Sequence, residues 1–198
     1  MTFHPADRLV LSIDPSITAT GLALWLVGPD TPIRASLVAT CVVVPNVRQL
    51  GESWAGRINW IITTTDSWSL RKCAQIGGVT MMLASYPQDV VCEELRGITD
   101  PNRRSPSVET LVHDYRIRAG RWKATWTTYA PNSWRSKVGG KDKRATADIL
   151  QRFLEWGDVG LPSMNETGMN AYDAIGLGLH YLQQQRLGIL TPKTARRR

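Results

Sequence analysis

Cysteine is scarce in these 198 residues: three, Cys41, Cys73 and Cys92, lie scattered in apolar surroundings with no paired metal-ligand spacing. That argues against a disulfide scaffold and fits a reduced cytoplasmic chain whose thiols sit in the core. No apolar run approaches the ~20 residues of a membrane span, and the opening MTFHPADR lacks the basic-then-apolar order of a secretory signal. The expectation is a soluble protein with no membrane partner. Internal repeats and heptads are lacking too. Acidic residues are few where basic ones are dense: residues 96 to 144 hold twelve of the 24 Lys and Arg, but only Asp100, Glu109, Asp114 and Asp142. Twelve against four is a net +8 in a chain of net +7, so the remainder is close to neutral. Such polarisation favours a polyanion partner, most simply nucleic acid, bound with steep salt dependence; the plainer alternative is a solvated basic face.

What is present reads as one compact domain, since this length with 42% hydrophobic content buries a full core. Residues 9 to 14 (LVLSID), 20 to 27 (TGLALWLV) and 36 to 44 (SLVATCVVV) read as a meander of three strands. Between 47 and 86, helical spacing of Trp54, Ile58, Ile61 and Ile62, then of Val79, Met82 and Leu83, predicts two helices interrupted near TTTDSWS and at Gly77-Gly78. DVVCEEL, 89 to 95, follows the turn signal Tyr86-Pro87-Gln88 and reads as a fourth strand. After a basic, Pro-broken loop, Ser105-Pro106 opens a helix over 106 to 121 with Val108, Leu111, Val112, Tyr115 and Ala119 on one face. TWTTYA, 125 to 130, alternates like a fifth strand. NSWRSKVGGKDKR is then expected to be a basic, Gly-containing loop leading into a helix from about Thr146. NAYDAIGLGLHYLQQQ closes the fold as a helix whose Gly176 and Gly178 permit close approach to a neighbouring layer. Strands alternating with helices after an opening meander predict an α/β sandwich of three layers.

Three acids stand at apolar-to-polar transitions of this scheme: Asp14 ending strand one, Glu93 ending strand four, and Asp173 in the last helix. Taken singly, Asp14 can cap a turn, Glu93 can pair with an arginine, and Asp173 can be the wet side of an amphipathic helix. Together they fit a two-metal phosphoryl-transfer site, because carboxylate oxygens are the preferred ligands of Mg²⁺ and Mn²⁺. An acidic metal site within a basic protein describes a nuclease.

SIDPSITATGLAL, VVCEEL and NAYDAIGLGLHYL, in this order and with GGKDKRATA between the last two, resemble the RuvC family of Holliday-junction resolvases in the RNase H-like superfamily. The resemblance spans roughly residues 9 to 185. It implies an RNase H-like three-layer fold with a five-stranded mixed sheet flanked by helices, one domain over 1 to 190 and a basic flexible tail over 191 to 198. It also implies a homodimer, built through the helix 106 to 121, that cuts four-way DNA junctions by paired, metal-dependent hydrolysis. Two Mg²⁺ per active site, with Mn²⁺ as substitute, are the implied cofactor, and no nucleotide cofactor is implied. By motif, Asp14, Glu93 and Asp173 are similar to the family's metal-binding carboxylates. Glu94 is the poorer partner, because successive strand residues face opposite ways. The fourth ligand, an Asp or His three residues before the last aspartate, is here Asn170, whose amide oxygen can coordinate but brings no charge; Glu166 is a candidate compensator on the same helical face. Lys143, Lys141 and Arg135, with Lys137, Arg96, Arg103 and Arg104, are the expected DNA contacts. Trp122, Trp126 and Trp134 lie in the basic half as base-stacking platforms or as core and interface packing. Two other activities stay open: a broader debranching endonuclease, and a junction-binding protein with weak or no catalysis.

Overall fold

A computed structural model describes residues 8–28, 35–50, 53–77, 86–94, 105–138, 140–153, 159–160 and 162–185. Five strands form one mixed sheet: β1 (Arg8–Asp14), β2 (Thr20–Val27), β3 (Ala35–Val43), β4 (Asp89–Glu93) and β5 (Thr125–Tyr129), in the order β3-β2-β1-β4-β5. The meander pairs antiparallel, as expected of strands joined by short connections. β4 and β5 add on parallel, each after a helical crossover. The helices are α1 (Val47–Leu50), α2 (Trp54–Gly77), α3 (Pro106–Arg121), α4 (Pro131–Val138), α5 (Lys143–Phe153) and α6 (Glu166–Gln184). Among the described residues no helix is long and apolar enough to cross a membrane.

Alternation along the buried strands sorts the core into two halves. Leu9, Leu11 and Ile13 of β1 pack with Val90 and Cys92 of β4 against Ile58, Ile61 and Ile62 of α2 and Leu111 and Tyr115 of α3. Val10 and Val91 face the other way, against Trp134 of α4, Leu150 of α5 and Tyr172, Ile175 and Leu177 of α6. The period of two therefore aims Asp14 and Glu93 at the α4–α6 side of the sheet. These are the three layers expected from the alternation of elements.

Two local expectations are corrected. α2 runs unbroken through TTTDSWS, where an interruption is expected from the sequence, because part of this stretch turns into the core. Thr65 and Ser69 are fully buried, and Thr65 Oγ1 lies 2.9 Å from the Tyr115 hydroxyl of α3. Packing thus outweighs the modest helix propensity of Thr and Ser. The second expected helix of this stretch, around Val79, Met82 and Leu83, lies outside the described residues. NSWRSKV, expected in a loop, forms α4: Pro131 takes the first position, Ser133 Oγ donates to the Ala130 carbonyl at 2.7 Å, and the main apolar anchor Trp134 is fully buried, with Val138 packed partly buried against the same half of the core. α5 correspondingly starts at Lys143 and α6 at Glu166, where Asn165 Oδ1 caps the helix by accepting from Gly168 N at 2.7 Å.

α6 lies across the meander at unusually close range, and glycine is what allows it. A Cβ on Gly178 would stand 2.6 Å from Ser12 Oγ and 3.0 Å from Trp25 Cδ1, and one on Gly21 would reach the backbone at Asn170, with Ala171 N at 2.9 Å. The close approach foreseen for Gly178 is thus with the sheet itself, and Gly176 makes the corresponding approach to the Trp134 ring.

Candidate active site

Parallel pairing of β1 with β4 puts Ile13 opposite Cys92, so Asp14 and Glu93 emerge one residue further on at the same sheet edge. α6 crosses above this edge and delivers Asn170 and Asp173, one helical turn apart. The four residues, distributed over three elements, come together. Glu93 does pair with an arginine, Arg135, but Asp173 is fully buried rather than on a wet helical face.

Two cations from the basic half enter the acidic group. Arg135 Nη2 donates to Glu93 Oε2 at 3.3 Å and to Asp173 Oδ2 at 3.0 Å. Lys143 Nζ lies 2.9 Å from Asp173 Oδ2 and 3.6 Å from Asp14 Oδ2, and donates to Asn170 Oδ1 at 2.8 Å. Asn170 Nδ2 donates in turn to the Ala19 carbonyl, which orients the amide oxygen toward the ammonium. Trp134 Nε1 donates to Glu93 Oε2 at 2.8 Å, and the Arg135 guanidinium carbon lies 4.8 Å from the Trp134 ring centre. Trp134 is therefore neither a base platform nor mere filling: it holds the glutamate.

Burial dominates the acid–base behaviour of the group. It pushes Asp14 well above the usual carboxylate range, and the nearby Glu93 and Asp173 charges add to this against the pull of Lys143 and Arg135. Glu93 is also raised by burial, with Arg135 and the Trp134 hydrogen bond opposing. Lys143 is raised because Asp14 and Asp173 together outweigh the desolvation that would lower it.

The donor chemistry fits a hard divalent cation: three buried or nearly buried carboxylates and an amide oxygen, with Asp173 Oδ1 buried and without a hydrogen-bond partner. Among the described residues no three His, Cys, Asp or Glu side chains gather closely enough around one point to hold an ion. Instead, Lys143 and Arg135 bridge the carboxylates. Glu166 is exposed in the first turn of α6, and none of the contacts within the cluster involves it.

Beside the acidic group lies a depression of about 530 Å³ whose lining includes Arg135, Ser136, Gly140, Lys141 and Lys143. Its rim is shaped by the start of α5, where Asp142 Oδ1 accepts from Ala145 N at 2.8 Å. Lys141 and Lys137 are exposed, the latter in the last turn of α4. Arg96, Arg103 and Arg104 lie outside the described residues. Trp126 and Trp122 pack partly buried against the α2–α3 half of the core, Trp122 stacking on Tyr86 with 5.3 Å between ring centres.

Comparison with known proteins locates this arrangement. No family model and no curated protein sequence matches the chain. Solved structures do. Thermus thermophilus RuvC is 20% identical, with 91% of this chain and 96% of that one covered at a TM-score of 0.63. The same protein in complex with a Holliday junction substrate is 19% identical, with coverage of 91% and 96% and a TM-score of 0.60. The fowlpox virus resolvase in complex with Holliday junction DNA is 12% identical, covering 89% of this chain and 98% of that one at a TM-score of 0.55. The chain shares the fold of these structures, an α/β architecture with a five-stranded mixed sheet flanked by helices.

Proposed function

We propose that this protein is a metal-dependent endonuclease that acts as a homodimer on four-way DNA junctions. The observation that carries the reading is the meeting of Asp14, Glu93, Asp173 and Asn170 at one sheet edge of a RuvC-like fold, with exposed basic residues alongside. Asp14, Glu93 and Asp173 would hold divalent ions, whose chemistry would be to activate the attacking water and stabilise the leaving oxygen of a phosphodiester. The chain's own contribution is to hold and shield these ligands. Trp134 and Arg135 fix the Glu93 carboxylate, burial keeps bulk water from Asp173, and Asn170 is set by its bond to the Ala19 carbonyl. Lys141, exposed on the depression beside the site, is assigned to backbone phosphate, with Lys137, Arg96, Arg103 and Arg104 as further contacts. Phosphate contacts of this kind position a duplex without reading its sequence, as suits a substrate defined by branch geometry.

Pairing of two copies through α3 is supported by a groove of about 420 Å³ between α2 and α3, where Trp54 and Ile117 are exposed. A twofold dimer would set two sites against the two symmetric strands of a junction.

The test incubates the protein and its Asp14→Asn variant with a labelled four-way junction, a fork, a flap and a linear duplex, with and without Mg²⁺. Symmetric, Mg²⁺-dependent nicks in the junction by the parent alone, with binding kept by the variant, are expected. Equal cutting of forks and flaps would replace the reading with a general debranching nuclease. Tight junction binding without nicks would leave a binding protein.

A further inference from the structure

Asn170 is neutral where the resemblance implies a charged metal ligand, and a cation is seated on it. Lys143 Nζ stands 2.8 Å from Asn170 Oδ1, 2.9 Å from Asp173 Oδ2 and 3.6 Å from Asp14 Oδ2. Its position is built in from both sides. Asn170 Nδ2 is tied to the Ala19 carbonyl, so the oxygen faces the ammonium. Behind Lys143, the start of α5 is fixed by the Asp142 cap and by Gly140, where a Cβ would stand 2.7 Å from Thr146 Cα.

Charge counting shows what this seat does. With the carboxyls ionised, as metal coordination requires, Asp14, Glu93 and Asp173 bring three negative charges, and Lys143 and Arg135 return two positive ones, leaving one negative charge in excess. One divalent ion turns that into one positive charge, whereas two would leave three positive charges in a mostly buried site. Repulsion between unit charges about 4 Å apart reaches about 4 kcal/mol at an effective dielectric constant of about 20, so a second ion is strongly opposed while Lys143 is seated.

We propose that the Lys143 ammonium, seated on Asn170, takes the place of a second divalent ion, so that each active site binds one ion and uses the lysine as its other fixed positive charge. The inference rests on the metal-dependent nuclease reading, and it replaces the pair of ions that the family resemblance implies. Lys143 then faces substrate phosphate as a charge that a chelator cannot remove, while ion release still empties the other half of the site.

Counting bound Mn²⁺ per full-length chain, at neutral pH and without DNA, tests this independently of cutting. The parent should bind one ion. Lys143→Met should tighten that ion about tenfold or more, and Lys143→Met combined with Asn170→Asp should bind two. Lys143 is nearly half exposed, and thermal unfolding of each variant checks that the fold is kept. Two ions on the parent, or one on the folded double variant, would overturn the inference and leave the nuclease reading in place. If the double variant does not fold, Lys143→Met alone decides, and unchanged Mn²⁺ affinity overturns the inference. No saturable Mn²⁺ binding by the parent, with Asp14→Asn no different, would overturn the nuclease reading and the inference with it.

Discussion

Arg135→Met is the perturbation whose consequence follows most directly from the geometry. Methionine keeps much of the stem's packing but removes the guanidinium that bridges Glu93 at 3.3 Å and Asp173 at 3.0 Å. Removing one partner of a buried ion pair costs about 3–5 kcal/mol. The lower end applies here, because Lys143 still serves Asp173 and the Arg135 side chain is 20% exposed. For a chain of this size, about 3 kcal/mol lowers Tm by about 6–12 °C at neutral pH in a chelator. The pH dependence has a definite sign. Glu93 is already raised by burial with Arg135 opposing, so loss of Arg135 raises it further. A carboxyl raised in the folded state favours folding fully below its unfolded pKa, about 4.3, and that advantage is lost as pH rises through the folded value. The variant should therefore match the parent in mild acid and fall behind it toward neutrality. Added Mg²⁺ should recover part of the loss, about 1.4 kcal/mol at ten times its dissociation constant. Thermal unfolding between pH 4 and 8, with chelator or Mg²⁺, reads all three effects. A Tm loss independent of pH would show that Arg135 matters for packing on Trp134 rather than for charge, and no loss at all would refute the ion-pair argument.

Three further outcomes are expected. Trp134→Phe deletes the 2.8 Å bond to Glu93, so Glu93 rises and the acid limb of the pH–activity profile should move to higher pH; an unmoved limb would detach Trp134 from the site. Gly178→Ala forces a methyl against Ser12 Oγ and Trp25, costing about 1–3 kcal/mol by overpacking, read as a lower Tm; an unchanged Tm would mean that α6 lifts freely from the sheet. Lys141→Ala should reduce the slope of log affinity for junction DNA against log salt by about 0.9, whereas an unchanged slope would make Lys141 a solvated surface charge.

The strands were legible in the sequence because a buried sheet writes itself in short β-branched runs between turn residues. The reading of 9 to 14 and 20 to 27 agrees with β1 and β2 to within a residue. α2 was harder. Its Thr and Ser residues look like a break, and only the buried bond between Thr65 and Tyr115, fifty residues away, explains why they are not. α4 was missed for a related reason: eight mostly polar residues held mainly by one tryptophan leave no periodic signal.

For the site, local chemistry alone put Asp14, Glu93 and Asp173 at apolar-to-polar transitions, and family resemblance marked Asn170 and the basic residues. The ordering of those motifs is a property of the chain, and it was enough to choose the fold. Which cations stand among the carboxylates is not a property of any segment. Arg135 meets Glu93 across 42 residues, Lys143 meets Asn170 across 27, and Trp134 meets Glu93 across 41. Such contacts depend on where α4, α5 and α6 settle on the sheet, which is set by glycine approaches and by the burial of one tryptophan. The sequence by itself determined the strands, the polarised charge and the acidic residues; only the tertiary structure decided that Lys143 and Arg135 bridge them, because buried carboxylates draw in whichever cation the packing brings within reach.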